Sequence, residues 1–459
     1  MNLVQKNHIN LIKESLGNKK ADYKEIRIEE NISTRINYNG KTRENVSINS
    51  HFGGSARSML NGGWGFTSFN DIQQAPTKMN ESIELASFNK NPDFKIHSNS
   101  PKKVILDANL KKDPRSISLS EKISLLDHYK DLIINNNKIQ GCEITYGDTE
   151  RKVIFADSEG NEIEQNFIHV ILRIAANSSD GNELLQSGFS IGSMGDYSIV
   201  ENLDEKVLEC TKKSIDLIKA PKVDGKETTV VLDQILAGVF VHEAFGHLSE
   251  ADNVYENKRL QDILKLGKKF GNSDLNITDG AKIPNLRGSY EYDDEGTPAT
   301  ITPLIREGIL VGRLHSKETA SKMSEKPTGN ARAISYAYPP IVRMTNTIIE
   351  NSTNTKEDII KDTKDGLYVK NWYGGMTEHE MFTFSSAETY KIENGEIKDT
   401  MRPVKLSGNL FTTLKNINGI ANDLEINQGG GCGKGGQSPL PVSNGSPHIR
   451  INNCLVSSG

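Results

Sequence analysis

The sequence has few cysteines and few tryptophans, and it contains no long apolar run. Among its 459 residues are four cysteines, at positions 142, 210, 432 and 454, and two tryptophans. The cysteines show no paired spacing, which argues against a disulfide framework and favours a reducing compartment. The apolar run Ile235–Val241 is far too short to cross a bilayer, and the polar segment 1–20 lacks the apolar stretch of a secretory signal. These absences predict a cytoplasmic protein without a membrane partner.

A block of lysine or arginine is also lacking. The net charge of -5 and the pI of about 6.1 give the chain no electrostatic reason to bind nucleic acid. Hydrophobic residues make up 35% and charged residues 25%, a polar composition that still suffices to build cores. The length exceeds what one core usually supports, so we expect two domains, with three as the alternative.

The first half alternates between strand-like and helix-like patterns. A hairpin is predicted where alternating segments flank Asn39-Gly40, followed by a glycine-rich loop over 53–69 that leads into a strand. The predicted helices are 1–20, which is amphipathic, 71–90, 118–135 and 204–219. The short strands include 138–146, 152–155 and 167–175. A linker at 221–225 then divides an N-terminal mixed α/β domain, 1–222, from a C-terminal β-rich domain, 223–459. The predicted fold class is α+β.

The second half opens with a buried-looking strand, Thr228–Leu232, and a helix that follows from Gln234. Further along, Phe382–Ile392 alternates apolar and polar residues, which predicts a strand. Such a strand beside a cleft could bind an extended peptide by main-chain pairing. The alternative, that it lies inside the sheet, is equally compatible with the pattern.

The helix predicted from Gln234 carries the motif Val241-His242-Glu243-Ala244-Phe245-Gly246-His247. Two histidines at i and i+4 share one helical face and can bind one zinc ion, but here the spacing is i and i+5. On a regular helix this spacing rotates the second side chain by about 140° from the first. We therefore predict a π-bulge, or a break in the helix at Gly246, between Glu243 and His247.

A catalytic zinc site takes three protein ligands and leaves one position for water. The residues other than carboxylates that could supply the third ligand are His315, His379, Cys432 and His448. Cys432 has the most suitable chemistry, because glycines on both sides allow close backbone approach and Lys434 would favour the thiolate.

Several ordered motifs match one known family. They are Gly54-Ser55-Ala56-Arg57 with Trp64-Gly65-Phe66, His242 to His247, Tyr292-Asp293-Asp294-Glu295-Gly296, Pro327-Thr328-Gly329-Asn330-Ala331-Arg332, Arg343-Met344-Thr345-Asn346-Thr347 and Cys432-Gly433-Lys434-Gly435-Gly436-Gln437-Ser438. Over nearly its whole length the chain resembles the TldD/PmbA family of metalloproteases, and in particular the catalytic TldD-type subunit.

The resemblance implies a zinc metallopeptidase acting on unfolded peptides. It implies His242, His247 and Cys432 as zinc ligands and Glu243 as the general base. It also implies an N-terminal α/β domain, a C-terminal β-rich protease domain and an assembly of two subunits, a homodimer or a heterodimer with a related sister subunit. The competing hypothesis is a non-hydrolytic peptide-binding subunit with a structural zinc, and a third, a modulator of DNA topology, is disfavoured by the acidic balance. The substrate-binding residues stay unknown from sequence.

Overall fold

The computed structural model describes residues 6–17, 20–89, 91, 94–98, 100–179, 181–378 and 380–458. The elements described in the first half are α1 (Lys6–Gly17), β1 (Tyr23–Gly40), β2 (Thr42–Leu60), β3 (Gly63–Phe69), α2 (Ala75–Ala86), β4 (Lys103–Leu106), α3 (Leu119–Ile134), β5 (Ile139–Asp157), β6 (Glu162–Ser179), β7 (Leu184–Met194) and α4 (Asp204–Asp216). Their strands form one sheet in the order β3-β2-β1-β5-β6-β4, with β7 also paired to β6. Helices α3 and α4 pack on this sheet, and the buried side chains between them make one apolar core.

The hairpin predicted around Asn39-Gly40 is confirmed, since β1 and β2 pair from Asn39 and Thr42 at the turn to Tyr23 and Met59. The helix predicted over 118–135 is also confirmed, and Ser118 caps it by accepting from the Glu121 N–H. The short strands predicted at 138–146 and 152–155 are instead a single strand, β5. The polar residues between them pair with β1 and β6, and Asp148 among them accepts a hydrogen bond from Lys122, at 2.7 Å, inside the protein.

The glycine-rich loop predicted over 53–69 is wrong, because this segment continues β2 and then forms β3. Gly62, with a φ of +75°, forms the turn between the two strands, while Gly53 and Gly54 are needed for close packing. A Cβ on Gly53 would lie 2.4 Å from the Tyr336 ring, and a Cβ on Gly54 would lie 2.5 Å from the Phe69 ring.

The elements described in the second half begin with β8 (Lys226–Leu232), α5 (Gln234–Val241), a π turn (His242–Gly246), α6 (His247–Ser249), α7 (Ala251–Tyr255) and α8 (Lys258–Ile263). They continue with β9 (Ile277–Gly280), β10 (Ile301–Arg306), β11 (Ile309–Leu310), α9 (Lys317–Met323), β12 (Ala331–Arg332), β13 (Ile341–Val342), β14 (Asn346–Ile349) and α10 (Lys356–Thr363). The last elements are β15 (Gly366–Glu378), β16 (Met381–Glu393), β17 (Glu396–Met401), β18 (Val404–Asn409), α11 (Leu410–Lys415), β19 (Ile417–Ile420), β20 (Glu425–Asn427), β21 (Gly431–Lys434), β22 (Gln437–Pro441), β23 (Ser443–Ser446) and β24 (Ile449–Ser458).

Two sheets enclose helix α5. One has the order β15-β8-β24-β18-β16-β17, and β15 also pairs with β16, so that the sheet closes on itself. The other has the order β11-β10-β9-β14-β23-β20. Helix α5 contacts strands of both sheets, β15 and β8 in the first and β14, β20 and β23 in the second. The helix that carries the histidine motif is therefore at the centre of the second half.

The two halves meet through buried ion pairs. The Arg57 guanidinium in β2 lies 2.5 Å from a Glu295 carboxylate oxygen and 3.3 Å from one of Glu25. The same guanidinium stacks on the Trp64 ring at 3.8 Å from its centroid. Since Arg57 and Glu295 are both buried, this contact joins the N-terminal sheet to the loop that follows β9.

The expectation of a mixed α and β protein rich in strands is confirmed, while the division at residues 222 and 223 stays a prediction. None of the helices in the described ranges is both long and apolar enough to span a membrane.

Candidate metal centre

Helix α5 and the π turn bring His242 and His247 together. Asp233 starts the helix by accepting from the Leu236 N–H at 2.9 Å, and the apolar residues that follow bury it. At the motif, the His247 N–H donates to the His242 carbonyl, five residues back, which is the π-helical hydrogen bond. The predicted π-bulge is thus confirmed, and the two imidazole centroids lie 5.4 Å apart.

Gly246 permits this turn to pack closely. A Cβ at this position would lie 1.9 Å from the Met344 sulfur, which no residue but glycine avoids without displacement of Met344. The sequence argument placed Gly246 at the distortion for its backbone freedom. The structure adds a steric reason, the approach of the Met344 side chain.

Cys432 lies on a short hairpin rather than in an open loop. It belongs to β21, which pairs with β22, and Cys432 is opposite Leu440. The positive φ angles that glycine permits occur at the hairpin turn, +58° at Gly435 and +75° at Gly436, and not at the glycines beside Cys432. The hairpin places the thiol against the histidines, with Sγ at 3.6 Å from His247 Nε2.

The three predicted ligands form one compact cluster. The candidate ligand atoms of His242, His247 and Cys432 all lie within 4.8 Å of one another. Zinc bonds of roughly 2.0 to 2.3 Å place donor atoms roughly 3 to 4 Å apart, so the cluster needs little adjustment to share one ion. His242 Nδ1 is buried and has no hydrogen-bond partner among the described residues. Two imidazoles and one thiolate are also a donor set that zinc takes. The residues present therefore fit a metal ion.

The charges of the cluster favour the thiolate. Burial alone would raise the pKa of the Cys432 thiol, but the adjacent His242 and His247 imidazoles hold that pKa well below its usual value. Burial likewise would lower the pKa of His247, whereas the Glu250 carboxylate and the Cys432 sulfur raise it to about 11. A thiolate is the form of cysteine that binds metal.

Glu250, which was not identified from the sequence, supports His247 from behind. Its fully buried carboxylate lies 3.1 Å from His247 Nδ1 and 3.1 Å from Lys434 Nζ. Burial would raise the pKa of Glu250, but Lys434 and His247 lower it to about 2. A carboxylate on the second nitrogen of a ligating imidazole fixes its ring and tautomer. The available signal was the i, i+3 spacing from His247, which is too common to single out Glu250.

The expectation that Lys434 favours the Cys432 thiolate is wrong, because its ammonium group pairs with two carboxylates instead. Its ammonium group lies 2.6 Å from Asp252 and 3.1 Å from Glu250, and donates to the Val342 carbonyl at 3.0 Å. The two imidazoles, rather than Lys434, favour the thiolate. Lys434 instead joins the Cys432 hairpin to the segment that follows His247.

Glu243 lies on the π turn beside the cluster without joining it. Its carboxylate is 3.9 Å from His247 Nε2, and the side chain keeps 27% of its surface exposed. The other candidate histidines within the described residues have partners elsewhere. His315 contacts Thr319 and Glu325, and His448 contacts Asp423 and Tyr368. His379 lies outside the described residues.

Three buried arginines hold the backbone around Cys432. Arg343, with no exposed surface, donates to the Cys432 carbonyl at 2.7 Å and to the Gln437 carbonyl at 3.1 Å. Arg287 donates to the carbonyls of Gln428 and Gly430. Arg332 donates to the carbonyls of Met344 and Pro441. We refer to Arg287, Arg332 and Arg343 as the arginine clamp. Arg332 ends one of the sequence motifs noted above and Arg343 begins another, but their targets are main-chain atoms that no sequence pattern specifies.

A cavity of about 710 Å³ lies between the two halves. None of His242, Glu243, His247 and Cys432 lines it. It reaches the Cys432 hairpin through Gly429 to Gly431 and Pro439, and it borders β15 at Lys370 to Tyr373. This cavity therefore adjoins the metal centre without including the candidate ligands.

A buried cluster of two imidazoles and one thiolate, with a carboxylate beside it on a π turn, defines a candidate metalloenzyme centre. Comparison with known proteins gives the family. Residues 25–89, 112–220 and 225–458 match, in order, domain 1, the central domain and the C-terminal domain of the PmbA/TldA metallopeptidases. The chain belongs to the PmbA/TldD family of metallopeptidases.

Curated relatives are similar over most of the chain. The metalloprotease slr0863 of Synechocystis is 43% identical over 95% of both chains. The metalloprotease MJ0996 of Methanocaldococcus jannaschii is 34% identical over 94% of this chain and 96% of its own. The zinc metalloprotease TldD homolog of Saccharolobus solfataricus is 29% identical over 96% and 97%.

Solved structures share the fold. TldE from Thermococcus kodakarensis has a TM-score of 0.75 at 17% identity, covering 98% of this chain and 99% of its own. A Bacteroides thetaiotaomicron protein described as a proposed modulator of DNA gyrase has a TM-score of 0.78 at 17% identity, covering 100% of both. At this identity the likeness concerns the fold alone.

Proposed function

We propose that this protein is a zinc-dependent metallopeptidase that hydrolyses unfolded peptides. His242, His247 and Cys432 hold the zinc ion, and Glu243 is the general base. The observation that carries this proposal is the π turn, which sets two imidazoles and a thiolate within 4.8 Å of one another and keeps a partly exposed carboxylate beside them. Three donors leave one position for water or substrate, as in catalytic zinc sites.

The chemistry divides between the ion and the side chains. A zinc ion bound here supplies Lewis-acid chemistry, by which water is acidified and a peptide carbonyl is polarised. Glu243 accepts the proton from the attacking water and delivers it to the departing amine. Glu250 keeps the His247 ring in place through the 3.1 Å contact at Nδ1. Arg343 holds the Cys432 backbone so that the thiolate meets the two imidazoles.

The second candidate is a peptide-binding subunit with a structural zinc. What favours it is the burial of His242 and Cys432, since structural sites are closed. Against it stand the number of ligands and Glu243. A structural site normally has four protein ligands, and the cluster among the described residues has three.

The peptide is proposed to bind along β15. The strand predicted for this role, Phe382–Ile392, is internal, because β16 pairs with β15 on one side and with β17 and β18 on the other. On β15, pairing with β8 ends at Val369, so within the described residues the far edge of the strand has no partner strand beyond that point. Because β15 also packs against the π turn, a peptide added to this edge would run beside Glu243. Main-chain pairing reads few side chains, so cleavage should be broad on unfolded chains and absent on compact native domains.

We also propose a cytoplasmic assembly of two subunits, either two copies of this chain or this chain with a related sister subunit. No nucleic acid or membrane partner is proposed. Light scattering of the purified protein, alone and with a candidate sister chain, measures the assembly.

The test of the mechanism is Glu243→Gln. This change keeps the size and hydrogen bonding of the side chain but removes the base. We expect normal zinc content, a normal melting temperature and retained peptide binding, with turnover lowered by roughly two to four orders of magnitude.

The matched control is Glu256→Gln. This exposed glutamate follows the motif in sequence, and its change should leave all four quantities unchanged. Near-normal turnover by Glu243→Gln would reject the general-base role. Normal zinc content with no turnover even in the unaltered protein would favour the structural-zinc candidate.

A further inference from the structure

A second cavity, of about 410 Å³, lies between the N-terminal sheet and the arginine clamp. Its polar and charged wall includes Arg35, Arg151, His169, Arg287, Asp293, Asp294 and Arg332. Gly430 and Gly431, which immediately precede Cys432, also line it. We refer to it as the arginine cavity. It adjoins the cavity of about 710 Å³, with which it shares Arg35 and the two glycines.

Two of its arginines, Arg287 and Arg332, form no ion pair with a carboxylate in the described part of the chain, although Asp294 attracts Arg332 from farther away. Arg287 and Arg332 are only 6% and 7% exposed, and their hydrogen bonds go to main-chain carbonyls. Nε of Arg287 is buried without any hydrogen-bond partner in the described part of the chain. Burial and the nearby Arg332 charge lower the pKa of Arg287 to about 10, so it stays cationic at neutral pH. A buried cation without an opposite charge is costly, and an anion beside it would remove much of that cost.

The acidic residues of the wall are already engaged. Asp294 lies 3.0 Å from Arg151 and 3.8 Å from Arg27. Arg151 also pairs with Glu29, and Arg27 also donates to the Ser335 carbonyl. Asp293 accepts from three backbone N–H groups, and burial together with Glu295 raises its pKa well above the usual value. Neither carboxylate is paired with Arg287 or Arg332. The exposed Arg35 adds a further positive charge at the rim.

We propose that the arginine cavity is an anion site that binds a carboxylate group of the peptide, either its C-terminus or an acidic side chain. Guanidinium groups form bidentate, charge-assisted hydrogen bonds with carboxylates, and Arg35, Arg287 and Arg332 all line this cavity. The cavity volume accommodates a peptide end of a few small residues. Choosing a peptide as the source of the carboxylate rests on the proposed function, while the anion site itself rests on the charges and the cavity.

The site is tested by calorimetric titration of the full-length Glu243→Gln protein, which binds zinc but should not turn over. One probe pair is N-acetyl-trialanine and its C-terminal amide. A second pair is an amidated tripeptide with a central glutamate and its glutamine counterpart. We expect at least one carboxylate probe to bind roughly tenfold or more tightly than its neutral twin, with an affinity that falls as potassium chloride is raised.

Arg35→Gln and Arg287→Gln, each added to the Glu243→Gln background, locate the binding. Arg35→Gln removes an exposed charge and should weaken carboxylate binding about two- to fivefold without a change in melting temperature. Arg287→Gln should reduce the acid-over-amide preference to nearly one. The control is Arg43→Gln, an exposed arginine at the far end of the same hairpin that does not line the cavity, and it should change nothing.

Equal binding of acid and amide probes in both pairs would overturn the proposal, as would no binding at all. So would a preference for the acid that both arginine variants retain, because the carboxylate would then be bound at the metal centre. None of these outcomes bears on whether Glu243 and zinc are needed for turnover, so the two proposals fail separately.

Discussion

Cys432 and Cys454 are both buried thiols, yet their surroundings give them opposite ionisation. Burial raises the pKa of Cys454 to about 12, and no charged group opposes it. At Cys432 two imidazoles outweigh the same effect. Composition and spacing could rank Cys432 first among the cysteines for its glycine neighbours. The reason that makes it a ligand, contact with two imidazoles nearly two hundred residues earlier in sequence, exists only in the folded chain.

At this scale we predict that Cys432→Ala loses zinc. Removing one of three ligands should weaken zinc binding by more than the roughly 10- to 100-fold that loss of an outer-shell partner costs. Competition with a chromogenic chelator measures the affinity. Cys454→Ala, a buried thiol of β24 outside the cluster, is the control and should keep its zinc. Unchanged zinc binding by Cys432→Ala would mean that another residue supplies the third ligand.

At the scale of the element, the π turn is the feature that the sequence predicted best. The i, i+5 spacing leaves little choice once both histidines are taken to reach one ion, because a regular helix separates them. The strand assignments were weaker for a physical reason. In β5 a run of polar residues remains within the sheet, and Asp148 among them is paired with Lys122 from another element. The alternation of apolar and polar residues is lost there, so the local pattern predicts two strands where the structure has one.

We predict that Gly246→Ala destabilises the protein. Alanine favours helix by roughly 1 kcal/mol over glycine, but its Cβ would lie 1.9 Å from the Met344 sulfur. Overpacking costs about 1–3 kcal/mol, so the free energy of unfolding should fall by up to about 2 kcal/mol. Denaturant titration measures it.

A double-mutant cycle with Met344→Ala isolates this contact. Met344→Ala alone is destabilising because the side chain is fully buried. In that background Gly246→Ala should cost nothing or stabilise slightly. An equal cost in both backgrounds would show that backbone conformation, rather than Met344, requires the glycine.

At the scale of the whole molecule, buried charges join the two halves. Sequence reasoning recognised the motifs that contain Arg57, Trp64 and Glu295 but gave no reason for them. The structure supplies one: the guanidinium bridges Glu25 and Glu295 while stacking on Trp64. Pairing between residues more than two hundred positions apart has no local signature, so it lay beyond prediction from one sequence.

We predict that Arg57→Met lowers the free energy of unfolding by about 3–5 kcal/mol, because it leaves Glu25 and Glu295 buried without this cation. Chemical denaturation measures the loss. Arg43→Met, an exposed residue of the same strand 3.6 Å from Asp127, should change stability by no more than about 0.5 kcal/mol. Adding Glu295→Gln to Arg57→Met should recover part of the loss. A fall in stability as small as that of the control would show that the buried pairing contributes little.

The arginine clamp also bears on how the segment around Cys432 can vary between relatives. Its guanidinium groups donate to main-chain carbonyl oxygens, which every amino acid carries. The clamp therefore imposes shape on Gln428 to Pro441 while demanding almost nothing of the side chains it holds. Whether a substitution there is tolerated depends on the contacts of that side chain itself. The path of the backbone past the histidines is fixed by three arginines that lie outside the segment.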